Sequence, residues 1–403
     1  MAARNHSALF VLVTIFIDAI GFGLIMPVLP QLLMTVGRID LSHAIGIGAW
    51  MGLAMAAASF FSAPVLGNLS DAHGRRPVLL AALGFLALDY LLLAVAHTLP
   101  LIFIGRVMSG AFGGSYAPAM AAVADISTPE DRAKTFGYVS AAFGIGFVLG
   151  PAIGGLLGEM GPRAPFYAAS AMAALNVVYG LVVFPETLDA AHRRPFHWQR
   201  ANPFGALRAA RAAPGMLGVV VVLIIWQIAS LVYPLTWSFY AIAQLGWSPR
   251  MIGLSLAAVG VTIALSQIFL TGRAVKRFGE RDAATIGLVV ATCGFIAYAF
   301  VQTTLQAFFA MGFIALQSFV QPSLMAMLSR RATPETQGEV QGISSMALGI
   351  GSIIGPLVLT QPMAYFTSDD APFYFPGAAF TVAAIFGAIS LVLLRQLPRV
   401  QPA

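Results

Sequence analysis

Charge is what this sequence has least of, and the scarcity sets its class. Of 403 residues, 9% are Asp, Glu, Lys or Arg and 59% are hydrophobic. A soluble domain carries about 25% charged residues. A chain this poor in charge cannot cover a water-facing surface, so its solvent is mainly lipid. A soluble enzyme is excluded. There is a single cysteine, Cys293, which excludes an intramolecular disulfide. It lies in an apolar run and reads as a small packing residue. No His, Cys, Asp or Glu spacing suits zinc, and there is no nucleophile elbow or phosphate loop. The glycine clusters fall inside apolar runs, where a dinucleotide fingerprint has no strand-to-helix context. No metal and no cofactor is expected. The net charge of +6 comes without a basic stripe or interleaved aromatics, so nucleic acid is not an expected partner.

Long apolar runs are what the sequence does have. A membrane span needs about 20 largely apolar residues. Twelve such stretches can be drawn, at 8–33, 44–67, 78–97, 99–123, 136–158, 164–184, 215–240, 250–271, 283–301, 305–328, 340–364 and 374–394. The first is too long for a signal-peptide core and is interrupted by Asp18, so it reads as a retained span. The longest polar stretch, 185–214, holds His192, Arg193, Arg194, His197, Arg200, Arg208 and Arg211. The expected fold is an all-α membrane protein of twelve helices. It comprises an N-terminal six-helix bundle (1–184), a linker (185–214) and a C-terminal six-helix bundle (215–403). A monomer suffices for such a fold.

The basic residues alternate with the spans. Of the 22 Lys and Arg, eighteen fall in segments on the side of the termini, from Arg4 to Arg399. Arg38, Arg163 and Arg250 fall on the opposite side, and Arg106 falls within a span. Lys and Arg are retained on the cytoplasmic face, so both termini are expected there.

The chain also repeats itself. Thr128-Pro129-Glu130 recurs as Thr333-Pro334-Glu335, an offset of 205. The same offset pairs Gly67 and Gly74 with Gly272 and Gly279, and Gly150-Pro151 with Gly355-Pro356. One offset across separate regions implies two parallel six-helix halves, the arrangement in which substrate sits between halves that rock alternately.

Within the segment 67–77, Gly67, Asp71, Gly74, Arg75 and Arg76 follow an ordered spacing. The glycines suit a tight turn and close helix approach. The charges suit ion pairs or helix termini. At the second-half offset Asp71 becomes Lys276, so this device is expected to be degraded there. The fifth span carries Gly144, Gly146, Gly150, Pro151, Gly154 and Gly155. Small residues allow tight helix contact in lipid, and Gly150-Pro151 is expected to bend the helix and shape the interface between halves.

Charge inside the spans is the most informative feature. Asp18, Asp89 and Arg106 lie in the first, third and fourth spans. An isolated charge costs several kcal/mol in hydrocarbon, so such residues face an aqueous path or pair with one another. A desolvated carboxyl can load and release a proton near neutral pH. The deep second half has no charge. It offers Trp226, Gln227, Tyr233, Trp237, Gln244, Gln267, Gln317 and Gln321, which with Tyr116 could line a site for a bulky, partly apolar ligand. Helix packing is the simpler reading of any one of them.

At these residues the chain resembles the major facilitator superfamily, and within it the drug:proton antiporters, most of all the tetracycline efflux transporters. The resemblance rests on residues 18–30, the segment 67–77, Asp89-Tyr90, Gly105-Arg106, Gly150-Pro151, Pro185-Glu186-Thr187, residues 253–257 and residues 338–342. It implies that Asp18 and Asp89 are the membrane carboxylates of coupled export and Arg106 the arginine of the proton-relay motif. It implies that Asp71, Arg75 and Asp125 form the cytoplasmic charge cluster holding the outward-facing state, and that Gln227 faces substrate. It places the chain in a bacterial inner membrane. Where those exporters carry a histidine in the eighth helix and an aspartate in the ninth, this chain has Ile263 and Ala291. A metal chelate would lose anionic contacts there.

The expected function is export of an amphipathic small molecule against inward proton flow, by alternating access. The expected partners are the substrate, protons and the bilayer. The alternatives are a proton-coupled symporter importing a polar metabolite and an exporter of an endogenous metabolite or siderophore.

Overall fold

The structure, a computed structural model, describes residues 2–113, 116–128, 131–198, 202, 216–331 and 337–398. Pro129, Glu130, Arg200, Arg208, Arg211, Thr333, Pro334, Glu335 and Arg399 lie outside the described residues, as do the side chains of Arg4, Tyr116 and Arg132.

All regular structure among the described residues is helical. The first half runs α1 (Ala2–Ile25), α2 (Leu29–Gly37), α3 (Leu41–His73), α4 (Arg75–Val95), α5 (Leu99–Phe112), α6 (Tyr116–Ile126), α7 (Arg132–Gly158) and α8 (Ala164–Val183). The second runs α9 (Met216–Ser230), α10 (Val232–Leu245), α11 (Pro249–Ser266), α12 (Gly272–Phe278), α13 (Glu280–Ala299), α14 (Thr304–Gln317), α15 (Val320–Ser329), α16 (Gln337–Phe366) and α17 (Ala378–Gln396). A π-helical turn, Gln267–Thr271, joins α11 to α12. The 205-residue repeat holds at the level of element ends. It relates the start of α4 to that of α13, the start of α7 to that of α16, and both ends of α5 to both ends of α14.

Among the described residues, eleven stretches are long and apolar enough to cross a membrane. The fourth of the twelve expected spans is represented by α5 and α6, between which residues 114 and 115 lie outside the described residues. Two other expectations shift. The first span stops at Ile25, because Pro27 and Pro30 lack the N–H that would continue the helical ladder. Helix α3 does not stop at Gly67 but runs to His73, because nothing in residues 67–73 breaks a helix. The chain turns only at Gly74, whose φ of +105° suits glycine.

The outer faces are apolar. Leu175, Val182 and Phe309 are strongly exposed. Such side chains would be a liability in water and are suited to lipid tails.

By contact the chain groups into two units. The first holds Met1–Ile39, Ala54–Asn202 and Trp247–Gly260, and the second holds Asp40–Leu53, Pro203–Gly246 and Val261–Ala403. In the first unit α7 lies along α1, and α8 along α4. Gly146 and Gly150 make the first contact possible. A Cβ on Gly146 would sit 2.6 Å from the Phe16 carbonyl oxygen, and one on Gly150 2.7 Å from that of Ile20. Glycine-lined approach of this kind is what drives helix association where water gives no hydrophobic push. Also in the first unit, Gly155 and Gly158 meet Gly253 and Pro249 at the start of α11. Helix α7 stays continuous through Pro151. The second unit repeats the pattern, with α16 along α9 and α17 along α13. There Gly351 and Gly355 meet the side chains of Gln227 and Leu231.

Candidate functional site

The first unit brings the three membrane charges into one neighbourhood. Asp89 on α4 and Arg106 on α5 are both buried, and Asp18 on α1 is half-buried. The buried Tyr90 hydroxyl lies within electrostatic reach of Asp18, Asp89 and Arg106. It rests over Gly21, where a Cβ would stand 3.0 Å away. Arg106 Nη2 lies 3.9 Å from Asp89 Oδ2. The contact is bridged: Nη2 donates to Ser109 Oγ at 3.1 Å, and that hydroxyl donates to Asp89 Oδ2. A buried carboxyl, hydroxyl and guanidinium in a row form a group able to hold or pass a proton.

A second cluster surrounds Gly74. Arg75 Nε donates to Asp125 Oδ2 at 3.0 Å, and its Nη1 donates to Ser70 Oγ at 3.3 Å and to Asp71. So Asp71, Arg75 and Asp125 do come together. Gly67 and Arg76 do not join them. A Cβ on Gly67 would meet nothing within 4 Å among the described residues, so no close approach among them requires glycine there. Arg76 donates to the Leu181 carbonyl at 2.7 Å, clipping the end of α8, where cations suit the exposed carbonyls.

Glu186 completes this cluster. Its carboxylate accepts from the backbone N–H of Arg75 at 2.8 Å and of Arg76 at 3.3 Å. These are first-turn amides of α4 without intrahelical partners, a natural seat for an anion. A side chain on Gly74 would collide with this carboxylate, whose Cδ would lie 2.7 Å from a Cβ. The segment after Glu186 is tied down as well. Arg194 N–H donates to the Asp71 carbonyl at 3.1 Å, and Asn68 Nδ2 to the His197 carbonyl at 2.6 Å.

In the second half the device is expected to be degraded, and the structure shows what form it takes there. Adding 205 to Asp71, Arg75 and Asp125 gives Lys276, Glu280 and Arg330. The charges are reversed rather than lost. Arg330 Nε pairs with Glu280 at 2.7 Å, in place of the Arg75–Asp125 pair. Gly279, at φ +78°, repeats the turn of Gly74. Arg281 repeats the clip of Arg76, donating to the carbonyls of Leu394 at 3.2 Å and Arg395 at 2.7 Å.

In the second unit the aromatic candidates form one packed group. Tyr233 lies 5.7 Å from both Phe295 and Tyr298, Trp237 lies 5.3 Å from Tyr298, and Trp226 lies 6.4 Å from Phe295. Trp226 and Trp237 are each only 3% exposed, which places them in the helix core. Gln227 packs against Gly351. Gln321 is half-buried. Two candidates point polar atoms inward without a hydrogen-bond partner among the described residues: the Tyr233 hydroxyl and Gln317 Oε1. Ala291 is fully buried and Ile263 half-buried. Among the described residues no group of three His, Cys, Asp or Glu side chains could hold a metal ion.

Sequence reasoning gave no role to Ser109, to Glu186 or to the Glu280–Arg330 pair. Ser109 had a signal: a hydroxyl three residues after an intramembrane arginine shares its helix face. Glu186 had a weak one, as a lone acid directly after a span. The Glu280–Arg330 pair was readable by applying the repeat offset to Arg75 and Asp125.

Comparison with known proteins agrees with this architecture. The chain is 38% identical to the class C tetracycline resistance protein of Escherichia coli, over 97% of each chain. It is 34% identical to the class B protein of Escherichia coli over 88% of each. It is 27% identical to multidrug resistance protein 1 of Bacillus subtilis over 95% of this chain and 97% of that one. Among solved structures, a bacterial homologue of the human lysosomal transporter Spinster, in an inward-facing and occupied conformation, matches with a TM-score of 0.80, 14% identity and full coverage of both chains. The family model of the Major Facilitator Superfamily matches residues 11–240 and 228–403. The chain therefore belongs to the major facilitator superfamily: it is a multi-pass membrane transporter and not an enzyme.

Proposed function

We propose that this transporter is a proton-coupled exporter of amphipathic small molecules, working by alternating access in a bacterial inner membrane with both termini cytoplasmic. The observation that carries the reading is the buried row Asp89–Ser109–Arg106 beside Asp18. A desolvated carboxyl whose charge changes can bias one facing over the other, because protons then bind the two states unequally. Kinship with tetracycline and multidrug resistance proteins supports drug export as the direction. The lopsided distribution of Lys and Arg supports the orientation.

The substrate wall is the Tyr233 and Gln317 side of the second unit, whose deep spans carry aromatics and amides and no charge. Such a wall suits an apolar body with few hydrogen bonds. With Ala291 and Ile263 where a chelate would need anionic or imidazole ligands, the preferred cargo is a free amphiphile rather than a metal complex. Everted vesicles carrying a pH gradient test this. Ethidium, an amphipathic cation, is expected to dissipate the gradient, and tetracycline to do so with no dependence on magnesium. A panel of amphiphiles that never moves protons would remove the antiport reading. Magnesium-dependent tetracycline exchange would remove the cargo preference.

A further inference from the structure

Asp89 and Arg106 are opposite charges buried in one unit, yet at 3.9 Å their ion pair is too long for a direct hydrogen bond. The Ser109 hydroxyl stands between them, accepting from Nη2 at 3.1 Å and donating to Oδ2. Both charges are left under-used. Among the described residues, Asp89 Oδ1 and Arg106 Nε have no hydrogen-bond partner, and Nη1 reaches only the Met55 sulfur, at 4.0 Å. A carboxylate and a guanidinium gain most from a two-point contact. A buried polar atom left unmatched is costly. Such atoms therefore call for a reason.

The backbone does not keep the pair apart. Gly105 lets α4 come close, since a Cβ there would stand 2.9 Å from Asp89 Oδ1. What intervenes is the hydroxyl, one turn from Arg106 on the same helix. A hydroxyl has one donor and two acceptor lone pairs. It can donate to a carboxylate or accept from a carboxylic acid, and hold Arg106 in both states. The charged and titratable groups around Asp89 are Arg106 of α5 and, on α4 itself, Tyr90, whose hydroxyl also senses Asp18 of α1.

We propose that Ser109 is a positioning residue for Asp89: its hydroxyl keeps Arg106 from closing into a hydrogen-bonded ion pair, so that the carboxyl remains able to take up a proton during transport. The proposal deepens the proton-coupled reading and rests on it for its purpose. Its test needs no substrate, so the two can fail separately.

The test is an infrared pH titration of the purified full-length protein in lipid. The carboxyl band that Asp89→Asn removes identifies the group. In Ser109→Ala, Arg106 can close on the carboxylate, and an adjacent opposite charge favours ionisation by about one pH unit or more. The band is therefore expected to vanish at a pH lower than wild type by that amount. Ser109→Thr, which keeps the hydroxyl, is expected to titrate as wild type does. If Ser109→Ala does not fold, Ser109→Cys, of similar volume and without the hydroxyl, is read in the same way. A midpoint that stays put or moves upward without the hydroxyl would make Ser109 a mere donor and overturn the proposal. So would Ser109→Thr behaving like Ser109→Ala.

Discussion

Arg75 and Glu280 occupy the same place in the two halves, one residue after a left-handed glycine at the start of a span, yet they bear opposite charge. The Arg75 side chain is 9% exposed and answers to two carboxylates; the Glu280 side chain is 13% exposed and answers to one arginine that is itself 67% exposed. What stayed the same across the repeat is the backbone work: the turn at Gly74 or Gly279, and the clip from Arg76 or Arg281 to the last helix of its half. What reversed is the electrostatics. The lesson is that a glycine turn and a helix-end clip tolerate one solution, whereas an ion pair keeps its geometry when both signs change.

The largest expected effect comes from the buried member. Arg75→Ala strands Asp125 and Asp71 and is expected to lower stability by about 3 kcal/mol, the range for breaking a partly buried charge network. Arg330→Ala removes an exposed partner and is expected to cost at most about 1 kcal/mol. Thermal unfolding in a single detergent compares the two, and equal losses would break the contrast.

Next in size is the helix contact. Gly150 faces the Ile20 backbone, which cannot yield, whereas its repeat partner Gly355 faces the Leu231 side chain, which can. Gly150→Ala is expected to cost about 1–3 kcal/mol and Gly355→Ala clearly less, by the same unfolding assay. If the second is the more damaging, side-chain yielding is not what separates them.

The clips should be alike. Arg76→Ala and Arg281→Ala are each expected to cost about 0.5–1 kcal/mol, as lost cations at helix C-termini. A strong effect on only one would mean that the repeat does not extend to this device.

The smallest effect concerns the start of α3. Asp40 caps this helix through the His43 N–H at 3.2 Å, and its carboxyl is held below its ordinary value of 3.8 first by the Ser42 hydroxyl and then by His43. A carboxyl lowered in the folded state adds stability above its unfolded value and loses it as pH falls through the lowered one. The second-half counterpart has Leu245 at this position. Asp40→Asn should therefore flatten the acid limb of the stability profile slightly, as circular dichroism melts between neutral and acid pH would record. An unchanged limb would mean that the cap is not felt.

Much of this was legible in the sequence, because lipid imposes a coarse code. Span length follows from the thickness of the hydrocarbon, and a 205-residue offset shows in the glycines and prolines. Boundaries were less legible. Asn68, Ser70 and Asp71 look like a loop but continue α3, since polar residues at a helix end are satisfied by neighbours such as the His197 carbonyl. The reversed cluster was hidden because a mismatch of residue type at Lys276 reads as loss until its partners are brought together. The row Asp89–Ser109–Arg106 was half legible: intramembrane charges announce themselves by their cost, whereas a serine in a membrane helix does not.

The central claim is that coupling resides in the first half and cargo contact in the second. Proteoliposomes containing a pH-sensitive dye test it most directly, with ethidium as the probe. Asp18→Asn and Asp89→Asn are expected to abolish ethidium-driven proton movement while leaving downhill ethidium flux, and Tyr233→Phe to alter the apparent affinity for ethidium with coupling intact. Coupling that survives in both aspartate variants, or that disappears in Tyr233→Phe, would contradict the account.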